Sequence, residues 1–92
     1  MIRSFRHRGL KRLFERGDKA QIRPDMLAKV ENVLALLDRA ASGDDMALPG
    51  LRLHQLRGDL RGFWSVTVSA NWQVIWRFEG RDVVDVDLID YH

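Results

Sequence analysis

Residues 64–78 read Trp64-Ser65-Val66-Thr67-Val68-Ser69-Ala70-Asn71-Trp72-Gln73-Val74-Ile75-Trp76-Arg77-Phe78. Apolar and polar residues alternate on both sides of Ser69-Ala70-Asn71, the period of two that marks an extended strand. A short polar break between two such runs predicts a hairpin. The same alternation sorts the faces. Trp72, Val74, Trp76 and Phe78 share one side and are expected in a core. Gln73, Ile75 and Arg77 share the other.

Working outward, Glu79-Gly80-Arg81 turns the chain again. Val84, Val86 and Leu88 then alternate with Asp85, Asp87 and Ile89, which predicts a third strand. Its parity sends Val84, Val86 and Leu88 toward the core, and Asp85, Asp87, Ile89 and Tyr91 away from it. Upstream, residues 51–56 (LRLHQL) are expected to form a fourth strand. Before them the period lengthens. Leu10, Leu13 and Phe14 have the spacing of one helix face, with Gly17 as a stop. Pro24 suits a first helical turn, and Leu27, Val30, Val33, Leu34, Leu37 and Ala41 form the stripe of a second helix. Residues 42–45 (SGDD) end it, and residues 47–50 (ALPG) turn the chain. Residues 2–5 (IRSF) are a candidate short strand. Helices first and strands afterwards predict an α+β fold, with two N-terminal helices packed on one face of an antiparallel sheet.

The length of 92 residues suits one domain spanning residues 1–92. Hydrophobic residues make up 46%, and there is no cysteine. The lack of cysteine removes thiolate nucleophiles and disulfides and fits a reducing cytoplasm. His7, His54 and His92 are too scattered for a metal site, and no cofactor is expected. No apolar run approaches the ~20 residues of a membrane span, so no membrane partner is expected. Charge is polarised. Residues 1–23 hold eight basic residues against two acidic, and residues 79–92 hold five acidic against one basic. A basic end of this kind suits nucleic acid, although a solvated helix face has the same composition.

The chain closes on Asp90, Tyr91 and His92. If the last strand is paired, these groups sit on a rigid rim and do not fray. His54 lies near Arg57 and Arg61, with Gly58 and Gly62 allowing a bend. In a straight strand His54 and Arg57 point to opposite faces, so they converge only if the strand ends or bulges near Leu56. Imidazoles, a phenol and guanidiniums suit cleavage of a phosphodiester that carries its own nucleophile, as RNA does. A base removes the 2′-hydroxyl proton, a cation offsets charge on the phosphorane, and an acid protonates the leaving oxygen. The bland alternatives are a structural histidine at 54 and a merely capped sheet at 91–92. Among the aromatics, Phe63 is the better candidate for stacking on a base, because Trp72 and Trp76 fall in the core register.

Taken together, residues 53–92, with His54-Gln55-Leu56-Arg57-Gly58-Asp59, the Trp64–Val68 strand and the closing Asp90-Tyr91-His92, resemble HigB-type toxins of the RelE/ParE superfamily. Residues 1–17 and the Leu48-Pro49-Gly50 turn are similar to that family's N-terminal half. The resemblance implies a RelE-like fold with a concave face opposite the helices. It implies a ribosome-dependent mRNA endonuclease that cuts the message in the ribosomal A site. It also implies a cognate helix-turn-helix antitoxin, through which alone the toxin meets operator DNA. By resemblance, His54, Asp90, Tyr91 and His92 are the catalytic set and Arg57 the basic residue of the motif. Arg61, Gln73 and Arg77 complete the expected phosphate-binding group. At position 73 the family usually carries arginine. The neutral Gln73 motivates the alternative of a weakened or non-catalytic toxin, a gyrase-directed ParE-like protein or one kept for antitoxin binding and operon control.

Overall fold

A computed structural model describes residues 1–91. Helices α1 (Arg8–Arg16) and α2 (Leu27–Arg39) precede strands β1 (His54–Gln55), β2 (Trp64–Ser69), β3 (Trp72–Glu79) and β4 (Asp82–Asp90). The strands form one antiparallel sheet in the order β1-β2-β3-β4. The α+β expectation therefore holds, and the hairpin at residues 69–71 is its centre.

His7 caps α1 by accepting from the Leu10 amide at 3.1 Å through Nδ1. Gly17 closes the helix with φ 69°, a conformation that favours glycine. Leu10 and Leu13 are buried, whereas Phe14 is 37% exposed and rests on Phe5 with ring centroids 5.7 Å apart. Pro24 lies in the turn before α2, which begins three residues later. The helix buries Val30, Val33, Leu34 and Leu37. Residues 42–45 go beyond ending it. Ser42 and Asp45 form a capping box that starts a 3₁₀ turn over Gly43–Met46. Gly43 packs beneath Trp64, so closely that an added Cβ would lie 2.3 Å from the indole Cη2. Gly43→Ala is expected to destabilise the fold by about 1–3 kcal/mol, read from the denaturant midpoint, because the ring must shift to admit one methyl.

The main core lies between the helices and one sheet face. Trp76, Val74, Val66 and Val68 from β2 and β3 meet Leu10, Val30, Leu34 and Leu37. Trp72 and Phe78 pack against its margin, as their register predicted. From β4 the contributors are Val83, Val86 and Leu88. This corrects the expectation for Val84. Between Ile75↔Asp87 and Arg77↔Val84 the register gains one residue on β4, a bulge in which Asp85 adopts φ 56°. The extra residue reverses the parity upstream of it, so Val83 faces the core in place of Val84. The Asp85 amide donates to the Ser4 hydroxyl at 2.8 Å, and its carboxylate holds Arg77.

Residues 2–5 form no regular strand. They make two isolated parallel bridges, Ile2↔Val83 and Phe5↔Val86, and so cover the β4 edge that would otherwise invite pairing. The fourth strand is also shorter than predicted. Arg52 takes φ 54°, which kinks the chain, and only His54–Gln55 pair with β2. On the sheet face away from the helices a second, smaller cluster forms from Leu56, Phe63 and Ile75, with Leu60 and Ile89 packed against it. Phe63 is 6% exposed there, under the Arg6 guanidinium at 5.0 Å from the ring centroid. Its expected role in base stacking is corrected accordingly, since the ring is packed beneath a cation.

Candidate active site on the open sheet face

Register places the polar residues of the open face in rows. His54 pairs with Ser65 across β1 and β2, Thr67 with Gln73 across β2 and β3, and Gln73 with Ile89 across β3 and β4. Directly paired side chains share a face, so His54 stands over the same surface as Ser65, and Gln73 beside Ile89. Strand β1 stops at Gln55. The Leu56 amide then holds the Phe63 carbonyl at 2.9 Å, and Gly58, at φ 65°, leads into a 3₁₀ turn over Gly58–Leu60. This is the strand ending near Leu56 that the His54–Arg57 spacing required.

Both residues consequently line one hollow of ≈ 310 Å³, together with Gln55, Leu56, Gln73 and Tyr91. A second hollow of ≈ 640 Å³ adjoins it through His54 and Arg57 and adds Arg61, Phe63 and Trp64. Such dimensions suit one or two nucleotides, given that ligand sites run from about 300 to 1,000 Å³. Tyr91 reaches the hollow because β4 stays paired to its end. Trp72 is opposite Asp90, and the Tyr91 amide donates to the Asn71 carbonyl at 2.9 Å.

Other expected residues stand elsewhere. Asp90 is exposed on the parity of Trp72, the opposite face from Tyr91, and does not line the hollow. His92 lies outside the described residues. Arg77 is held by Asp85, with Nε and Nη2 at 3.0 and 2.7 Å from Oδ2. It also lies 5.9 Å from the Phe63 ring centroid and lines neither hollow. Arg6 is the residue that sequence reasoning missed. It counted only as part of a basic segment, and no periodicity marks it. The pairing of residues 2–5 with β4 carries it over the ring of Phe63, a residue that lines the larger hollow. Four basic residues of α1, Arg8, Lys11, Arg12 and Arg16, surround a separate shallow hollow of ≈ 220 Å³ with Glu15.

Two contacts fix the tautomer of one side chain and the orientation of another. The Nδ1 atom of His54 lies 2.5 Å from the Arg52 carbonyl oxygen. A carbonyl only accepts, so Nδ1 carries the hydrogen and Nε2 of the neutral ring keeps its lone pair. The left-handed backbone at Arg52 sits at the carbonyl that makes this contact. Ser65, buried to 1% exposure, donates its hydroxyl to Oε1 of Gln73.

Two helices on one face of a four-stranded antiparallel sheet, with the other face left open, form the RelE-like toxin arrangement. A family model described as the RelE-like toxin of type II toxin-antitoxin system HigB matches residues 3–92, and the chain belongs to that HigB-like toxin family. It is 36% identical to the Endoribonuclease HigB of Proteus vulgaris over 92 residues, covering 100% of both chains. As a toxin of a type II system, it has a cognate antitoxin as partner. Among the described residues no helix is long and apolar enough to cross a membrane.

Proposed function

We propose that this chain is a ribosome-dependent endoribonuclease that cuts messenger RNA in the A site. The observation that carries the reading is the single hollow shared by His54, Arg57, Gln73 and Tyr91. His54 is the base. Its Nε2 takes the proton of a 2′-hydroxyl, whose oxygen bonds to the adjacent phosphorus while the bond from phosphorus to the 5′-oxygen breaks. Arg57 lies against the non-bridging oxygens and offsets the charge gathering there, in the fork geometry that guanidinium offers phosphate. Gln73 adds a neutral donor. Tyr91, which lines the hollow, supplies the proton for the leaving 5′-oxygen. The family resemblance assigns His92 to the same proton transfer, and Asp90, on the opposite face, takes no part in the step. The products are a 2′,3′-cyclic phosphate and a free 5′-hydroxyl. The scheme calls on no cofactor.

Arg61 lines the adjoining hollow and, with Arg6 over the neighbouring Phe63 ring, extends the track for the RNA backbone. On this reading the basic face of α1 contacts ribosomal RNA phosphates and the protein works in the cytoplasm. A helix-turn-helix antitoxin neutralises it and carries the complex to operator DNA. The non-catalytic alternative rests on Gln73 alone, and Arg57 already brings a guanidinium to the same hollow.

Purified toxin is expected to cut a message on programmed ribosomes and to leave the same message intact in free solution, as read by primer extension. Its binding to ribosomes should weaken with salt, with a log–log slope of about −0.7 to −0.9 per phosphate contacted. Equal cutting of free and ribosome-bound message would remove the ribosome from the proposal.

A further inference from the structure

We infer that Ser65 is a positioning residue, fixing the Gln73 amide so that its NH₂ group donates to a non-bridging oxygen of the scissile phosphodiester. This rests on the endoribonuclease reading above and adds to it the device that turns a neutral side chain into a transition-state donor.

Ser65 is the one buried polar side chain among the described residues. Packing does not ask for a hydroxyl there. The neighbouring cluster of Leu56, Phe63 and Ile75 is apolar, and Ser65 pairs directly with Ile75 on β3. A buried hydroxyl is unfavourable unless it finds a partner. Ser65 finds one in Gln73. Its location is also specific, since it sits cross-strand from His54 on β1 and one diagonal step from Gln73 on β3. The hydroxyl thus lies beneath the floor shared by the two side chains that meet in the hollow.

The consequence follows from the chemistry of an amide, which has one acceptor oxygen and two N–H donors. With Oε1 engaged by Ser65, Gln73 offers the hollow its donors. The acceptors that RNA brings there are the non-bridging oxygens of the phosphate, on which negative charge grows as the 2′-oxygen attacks. A donor held in place before the reaction stabilises that charge without reorganising, whereas a freely rotating glutamine must first be ordered. The hydroxyl supplies the order. Arg57, which lines the same hollow, contributes charge, and Gln73 contributes direction.

The test is single-turnover cleavage on programmed ribosomes by Ser65→Ala, Gln73→Leu, the double variant and Ser65→Thr, each with its melting curve and ribosome affinity. Gln73→Leu is expected to slow cleavage by about 10²-fold, the loss of one preorganised donor. Ser65→Ala should slow it by up to ~10-fold, the scale of one net hydrogen bond, with ribosome affinity unchanged. The double variant should be no slower than Gln73→Leu, because Ser65 acts only through Gln73. Ser65→Thr keeps the hydroxyl and should retain the rate if it melts as the wild type does. A double variant slower than either single by the product of their effects would overturn the inference. So would a Ser65→Ala protein that cuts at the wild-type rate. A Gln73→Leu protein that changes codon choice while keeping its rate on the preferred codon would assign Gln73 to a base and overturn the phosphate contact. His54→Ala is the control that separates the two levels. If it too cuts normally, the catalytic reading itself fails. If it is inactive while Ser65→Ala is normal, only the positioning role falls.

Discussion

His54→Ala is expected to lower message cleavage on the ribosome by ~10²–10⁴-fold, the usual contribution of one positioned proton-transfer group. The expectation rests on the tautomer. Nδ1 is occupied by the Arg52 carbonyl, so the lone pair at Nε2 is the basic site this imidazole has to offer. The substitution should leave the fold intact. His54 is exposed on a two-residue edge strand, and its backbone pairing with Ser65 does not involve the ring. Loss of activity at an unchanged melting temperature would therefore report chemistry. Primer extension on a reporter message and growth after induction measure it independently. Full growth arrest by the alanine protein would take His54 out of the reaction.

The same residue shows how far the sequence could be read. The period of two around residues 64–78 identified β2, β3 and the core face of Trp72, Val74, Trp76 and Phe78, because direct alternation is a local property. It also showed that His54 and Arg57 meet only if the strand ends near Leu56. What it could not supply was the cause, a left-handed residue at Arg52 and the turn through Gly58. Local alternation failed on β4 for a related reason. The bulge at Asp85 depends on Ser4, 81 residues away, and on Arg77 across the sheet. No pattern within β4 announces an inserted residue, so alternation alone points Val84 to the core position that Val83 holds. Phe63 differs from expectation because strand parity predicts which face a ring occupies but not whether that face carries a second apolar cluster. Arg6 was invisible as an individual for the same kind of reason. Its place over Phe63 is set by the pairing of residues 2–5 with a strand far along the chain.

These long-range contacts also decide which arginine matters. Arg57→Ala is expected to lower cleavage by ~10²–10³-fold, whereas Arg77→Ala should stay close to the wild-type rate. Composition treats the two as equal. Geometry does not, because Arg57 lines the hollow with His54, while Arg77 is turned to Asp85 beside the bulge. The Arg77–Asp85 pair is part-exposed, so its loss should cost about 0–1 kcal/mol of stability, visible as a small shift in the denaturant midpoint. A Gln73→Arg substitution then tests whether position or count of charge controls the rate. In the Arg57→Ala background it returns a guanidinium to the same hollow and is expected to recover part of the lost activity. In the wild type its gain should be small, for two reasons. Arg57 already offsets the phosphorane, and replacing the amide removes the acceptor to which the buried Ser65 hydroxyl donates. Adding Ser65→Ala to Gln73→Arg removes that orphaned hydroxyl and should restore stability, separating the cost of the unsatisfied group from the benefit of the charge. If Arg77→Ala instead proved as damaging as Arg57→Ala at an unchanged midpoint, the phosphate would have to bind nearer the bulge than the hollow.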